Sequence, residues 1–527
     1  MSDFLFDILI RNGTVIDGTG SPRRNADVGL SQDRITAIGD LSSAEATTII
    51  DATGKTVVPG FIDVHNHTDG WLLKTEQLAA KTMQGFTTEV IMADGISYAP
   101  VNDQTALEWT FYLRALNALR LDEYRGWRSL GEFMEFADGK NVQNFIPHVP
   151  YANVRSLACG FGRQPVDDFQ MRQVCGEIRD GMEAGAVGLS TGLDYIAQCF
   201  STTDELVRAC EAIAPYNGLY VTHMRYKSGI MNGLKEAVEI GRRAGVRVHI
   251  SHLKGLSPDD IEPILEYIDQ EARHQVDLSF DVYPYQPGST MLNYLLPYEV
   301  WEDGPLGAMA RMRDPAIKTR FAEGLRLYNL DLDHIRIAWV ASKENAVHQG
   351  KTLAQYVVEM DLSAEDALFR LLLEERLAVL LVFDQGDDRL IEPFLKHDLY
   401  MMGSDGIYHE DAHIHPRVFG STGRLLGPTV RDRQLFSLEQ AVHKMTGLPA
   451  KRFGLKDRGA LREHAFADVV IFDAESVTDR ATYEEPQQTC LGIEQVIVNG
   501  ITIVKESQPI VVSGERQPGR ALKYDPS

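Results

Sequence analysis

Apolar and polar residues alternate at both ends of this chain and gather into short apolar runs through its middle. Near the amino terminus, DILIRNGTVID and RITAIG have the period of two that marks a strand with one buried face. The pattern predicts strands over Phe6 to Arg11, Thr14 to Ile16, Asp27 to Leu30, Arg34 to Ile38 and Thr48 to Ile50, punctuated by Gly13, Gly18 and Gly20. The far end has the same character at Ala467 to Phe472, Ile493 to Val498, Thr502 to Lys505 and Ile510 to Val512. Each end alone has too few strands to hide a face, so residues 1–56 and 457–527 are expected to form one composite β-sandwich.

Between the ends, strands alternate with amphipathic helices. The expected strands are Val57 to Val64, Thr87 to Met92, Asn144 to Val149, Ala186 to Leu189, Leu219 to Thr222, Val246 to Ile250, Leu278 to Val282, Val379 to Phe383 and Leu399 to Met402. Helices are expected at Asp204 to Ala214, Gly233 to Ala244 and Pro263 to Arg273, and one opens at Ser437 with Gln440 at capping-box spacing. Alternation of this length predicts an α/β fold, a TIM-like (β/α)8 barrel over 57–456. Nine strands compete for eight places, and Val379 to Phe383 is the one expected elsewhere. Residues 287–342 break the alternation and are expected to form an inserted subdomain or lid.

Composition narrows the class. With 527 residues, 44% of them hydrophobic, the chain can bury a large core. A net charge of -23 argues against nucleic acid or an anionic membrane surface as partner. No apolar run reaches the ~18 residues of a membrane span, and acidic residues interrupt the amino terminus, so a cytoplasmic protein is expected. Five cysteines without a CxxC pair argue against a disulfide framework.

The chemistry is carried by strand ends. The first predicted barrel strand closes on His65-Asn66-His67, and residues two apart on a strand project to the same side. The second ends near Asp94, the fifth at His223, the sixth at His252 and the last at Asp405. In a barrel these ends converge on one mouth, so His65, His67, Asp94, His223, His252 and Asp405 are the candidate metal ligands.

These segments bear a resemblance to a known family. PGFIDVHNH, the two later strand-end histidines and GSDG resemble the amidohydrolase superfamily, and within it the N-acyl-D-amino-acid deacylase (D-aminoacylase) family. GFTTEVIMADGISYAP, GAVGLSTGLDY, YVTHMR, HISHLKG, DVYPYQPGST and GSDGIYHEDAHIHPRVFGSTGRLLG carry the similarity in order, from about residue 6 to 500. The resemblance implies hydrolysis of an N-acyl-D-amino acid or similar small molecule, with His223, His252 and residue 94 at a tighter metal and His65, His67 and Asp405 at a weaker one. One position departs from the family: Asp94 stands where its members usually have cysteine. A carboxylate is a harder donor than a thiolate, so one or two Zn2+ ions are expected, with Mn2+, Fe2+ or Co2+ open.

Asp405 is the candidate general base and then general acid, and Tyr283 a candidate donor to the oxyanion. By resemblance, Lys254, Arg417, Ser289 and Tyr195 match residues that bind the amino acid's α-carboxylate. His409, His413 and His415 are read as loop residues beyond the ligand set. Two other readings remain: a cyclic amide hydrolase of the hydantoinase or dihydroorotase type, and a non-catalytic scaffold. The first is disfavoured because GLSTGLDY offers no lysine at the fourth strand end. The second is disfavoured because all six positions hold competent donors. A homo-oligomer is left open.

Overall fold

The computed structural model describes residues 5–328 and 330–526, apart from the side chains of 327 and 328. Eight parallel strand positions form a ring: Phe61–Asp63, Phe86–Ile91, Asn144–Pro147 with Val149–Pro150, Gly188–Gly192, Leu219–His223, Arg247–Ile250, Leu278–Val282 and Tyr400–Met402. The last strand meets the first just beyond their ends, where Asp405 N donates to His65 O (2.7 Å) and His67 N to Gly406 O (3.0 Å). Asp63 ties the same seam by accepting from Ser404 N at 2.8 Å and Ser404 Oγ at 2.5 Å. Every residue of these strands is buried except Arg247, as befits a sheet covered on both faces.

The ninth predicted strand lies outside the ring, as expected. Val379–Phe383 pairs antiparallel with Ser289–Met291 and Ile335–Val340 in a separate three-stranded sheet. The departure from alternation therefore runs past the expected 342 to about 383, because its central strand comes from the far side of two helices, Leu353–Met360 and Ala364–Glu374. Trp339 on this sheet stacks on His409 of the loop after the last barrel strand, ring centroids 4.1 Å apart.

The predicted first strand, Val57 to Val64, is two strands. Thr56–Pro59 pairs with Leu5–Val15 and Val469–Phe472 in the flanking sheet, and Phe61–Asp63 pairs in the barrel. Gly60 makes the crossing: a Cβ there would overlap the Thr87 side chain. The flanking sheet has nine strands drawn from both ends of the chain, with Glu45–Asp51 parallel to Leu5–Val15. Its core joins Ile10, Val28 and Ile35 to Val469, Ile471 and Ile497. Residues 510–512 are not a strand. Beyond them the tail runs along the barrel, with Phe145 N donating to Arg520 O and Leu522 N to Phe145 O.

Candidate metal centre

The ring brings all six predicted ligands to one place. Asp94 lies among four imidazoles: its Oδ1 is 3.6 Å from His65 Nε2 and 4.0 Å from His252 Nε2, and its Oδ2 is 3.6 Å from His67 Nε2 and 3.9 Å from His223 Nδ1. Two potential ligand triads result, His65/His67/Asp94 and Asp94/His223/His252, each with its ligand atoms within 4.8 Å of one another. Asp94 belongs to both. Asp405 Oδ1 lies 3.3 Å from His67 Nε2 and 3.7 Å from His65 Nε2.

Backbone geometry aims these groups. Asp94, His252 and Asp405 all have positive φ (58°, 38° and 47°), a region that costs non-glycine residues energy and gathers at functional sites. Gly95 follows with φ 69°, and a Cβ on it would sit 2.8 Å from Thr191 Cα, so the turn carrying Asp94 is pressed against the fourth strand. Gln198 holds that turn by donating its Nε2 to Asp94 O at 2.8 Å.

The residues fit a divalent cation. Both ring nitrogens of His65, Nδ1 of His67 and Oδ1 of Asp94 are buried and have no hydrogen-bond partner among the described residues. Buried polar atoms are normally satisfied, and a cation between His65 Nε2 and Asp94 Oδ1 would satisfy both, while His65 Nδ1 faces Asp281. Burial opposes charge on His65, but Asp281, Asp94 and Asp405 outweigh it and push its pKa up to about 10. Burial and the facing His223 press His252 down to about 3. Burial would raise the Asp405 carboxyl, yet Arg417 and the nearby histidines hold it well below the usual carboxylate range. The Asp405 carboxylate thus presents negative charge to an incoming metal.

Two carboxylates behind the ligands were not singled out from the sequence. Asp281 accepts from His252 N (2.9 Å), pairs with His249 Nε2 (2.9 Å) and lies 3.5 Å from His65 Nδ1. Asp194 accepts from Tyr298 Oη (2.8 Å) and Tyr294 Oη (3.0 Å), with His223 Nε2 3.4 Å away. Carboxylates in such positions orient the imidazoles they touch. Asp281 had a signal, an acid inside the apolar run LSFDV, and Asp194 stands in the motif GLSTGLDY.

A cavity of about 360 Å³ opens in front of Asp94, His223, His252 and Asp405, and Tyr195, Lys254, Tyr283 and Ser289 line it. Lys254 Nζ donates to Tyr283 Oη at 2.7 Å, which leaves the phenol proton free to point elsewhere. Ser289 Oγ donates to Leu381 O at 2.7 Å. Arg417 is wholly buried behind Asp405, its Nη1 3.0 Å from Asp405 Oδ2 and its guanidinium 4.2 Å from the centre of the Tyr283 ring. It therefore meets Asp405 rather than the cavity. No lysine stands at the end of the fourth strand, Gly188–Gly192.

Comparison with known proteins gives the same family. A model of the amidohydrolase family matches residues 48–224 and 373–504, leaving out most of the inserted region. An N-acyl-D-glutamate deacylase of Alcaligenes xylosoxydans xylosoxydans is 35% identical over 99% of this chain and 97% of its own length. A D-aminoacylase of the same organism is 35% identical over 95% of each chain. The crystal structure of N-acyl-D-glutamate deacylase from Bordetella bronchiseptica, complexed with zinc and a phosphonate mimic of the tetrahedral intermediate, superposes with a TM-score of 0.84 at 32% identity, covering 99% of this chain and 100% of that one. With these matches spanning nearly its whole length, the chain belongs to the amidohydrolase family, in its N-acyl-D-amino-acid deacylase branch.

Proposed function

We propose that this protein hydrolyses the amide bond of an N-acyl-D-amino acid, releasing a carboxylate and the free amino acid. The observation that carries the reading is Asp94 shared by two histidine pairs, with Asp405 beside His67 and lining the same cavity. His65, His67, Asp94, His223, His252 and Asp405 would hold one or two divalent cations, zinc foremost. Such a cation supplies Lewis acidity, lowering the pKa of water towards about 7 and polarising the amide carbonyl.

The chain's own residues do the rest. Asp405, kept ionised by Arg417, accepts the proton of the attacking water and returns it to the departing amine. Tyr283, its oxygen already accepting from Lys254, turns its proton to the developing oxyanion. Lys254 binds the α-carboxylate, with Arg417 adding positive charge from behind Tyr283. Tyr195 and Ser289 complete the wall, and Met291, Leu295, Leu381 and Phe383 of the inserted region close the cavity as a lid. The five cysteines are free thiols and no described helix is long and apolar enough to cross a membrane, which supports work in the cytoplasm.

The test is a panel of N-acyl-D-amino acids, N-acyl-L-amino acids and hydantoins against protein of measured metal content. Turnover of the linear D-compounds is expected. Hydantoin cleavage in their place, or no turnover at full metal occupancy, would sink the reading.

A further inference from the structure

The cavity holds two lysine ammonium groups, and the mechanism uses one. Lys227, on the loop after the fifth barrel strand, lines the cavity beside Tyr294, whose ring lies 6.4 Å from that of His223. Its Nζ donates to Tyr294 O at 2.6 Å and sits 4.2 Å and 4.7 Å from the centres of the Tyr294 and Tyr298 rings. The nearest acid, Asp194, is engaged otherwise: it accepts from both tyrosine hydroxyls and from Lys227 N. Among the described residues the Lys227 ammonium makes no direct salt bridge, and Asp194 acts on it only across a distance, in a protein whose net charge is -23. Lys254 likewise bonds only neutral oxygens, Tyr283 Oη and Gln286 O.

An ammonium with donors to spare, packed on aromatic faces at the edge of a largely apolar cavity (Met291, Leu295, Phe383), is costly unless a ligand anion meets it. We infer that Lys227 is a specificity residue that recognises a second carboxylate on the substrate, distinct from the α-carboxylate held by Lys254. The inference rests on the amide-hydrolase reading above and deepens it. Overall similarity does not decide the matter, because the N-acyl-D-glutamate deacylase and the D-aminoacylase are each 35% identical to this chain. The second carboxylate can belong to the amino-acid side chain or to the acyl group, and the two are separable by experiment.

Metal-loaded protein is assayed with N-acetyl-D-glutamate against its neutral isostere N-acetyl-D-glutamine, and with N-succinyl-D-leucine against N-acetyl-D-leucine. A preference in the first pair puts the second carboxylate on the side chain, and a preference in the second pair puts it on the acyl group. In Lys227→Met the preferred pair's kcat/KM ratio should fall by about 10 to 100-fold, the worth of a hydrogen bond to a charged group, mostly through KM. Lys227→Arg should keep most of the ratio, which separates charge recognition from loss of packing. Equal kcat/KM within both pairs, or a ratio unchanged in Lys227→Met, overturns the inference. Should no compound turn over, calorimetric binding of the same four compounds to wild type and Lys227→Met reads Lys227 directly, and the failure belongs to the proposed reaction.

Discussion

The Arg417 guanidinium lies 3.0 Å from Asp405, Nη1 to Oδ2, with the arginine wholly buried and the aspartate nearly so. A cation in that position keeps the carboxyl ionised at neutral pH and leaves its other oxygen, Oδ1, towards His67 and His65. Asp405→Asn preserves the shape and removes the proton acceptor. Turnover should fall by about 10²- to 10⁴-fold, the usual span for a general base, while metal content stays near that of wild type. Near-native rates would refute the role, and elemental analysis of the same samples checks that the metal was kept.

Asp94 is the group common to both triads, so its replacement should be read first in metal stoichiometry. Asp94→Ala should lose cation from both positions. Asp94→Cys exchanges a hard donor for a soft one and should raise zinc affinity against chelator competition while lowering affinity for manganese. Unchanged zinc and manganese affinities in both variants would remove Asp94 from the ligand set.

Asp281 touches the rings of His249 and His65 and the backbone N–H of His252 without facing the cavity. Asp281→Asn should weaken metal affinity by about 10- to 100-fold, as loss of an orienting carboxylate does elsewhere, and broaden the visible spectrum of the cobalt-substituted protein. An unaltered spectrum with lowered stability alone would assign Asp281 to packing.

His409 supplies a pH signature away from the metal. Burial pushes its pKa down from 6.5 to about 4, against the raising effect of its bond to Ala115 O. The unfolded chain therefore binds a proton between pH 6.5 and 4 that the native state refuses, so this contribution is intact above 6.5 and lost as pH falls to 4. The loss amounts to about 3 kcal/mol. His409→Phe keeps a ring over Trp339 and cannot titrate, so its urea midpoint should fall less between pH 7 and 4.5 than that of wild type. Parallel declines would show that the imidazole contributes nothing in this window.

Much of the site was legible in the sequence because strand geometry is local. His65 and His67 follow closely on the strand Phe61–Asp63, and a place at or just past a strand's carboxyl end is visible for His223, His252 and Asp405 without knowing the neighbours. What escaped depends on partners distant in the chain. The break at Gly60 is hidden inside a continuous apolar run, because its cause is Thr87 on another strand. Asp281 and Asp194 become meaningful only once His65, His249 and His223 are beside them. Arg417 looked like a cavity residue, and only the packing of Asp405 and Tyr283 around it turns it inward.

The crossing at Gly60 links two parts of the molecule more closely than their separate sheets suggest. Four residues separate this crossing from His65, and Thr56–Pro59 just before it is clasped between strands contributed by the two ends of the polypeptide. Fraying of either terminus would thus reach the imidazoles through a tether too short to absorb it. The outer sheet acts as the anchorage of the metal pocket, so damage at the extremities of the chain should register first as loosened ion binding and only later as unfolding.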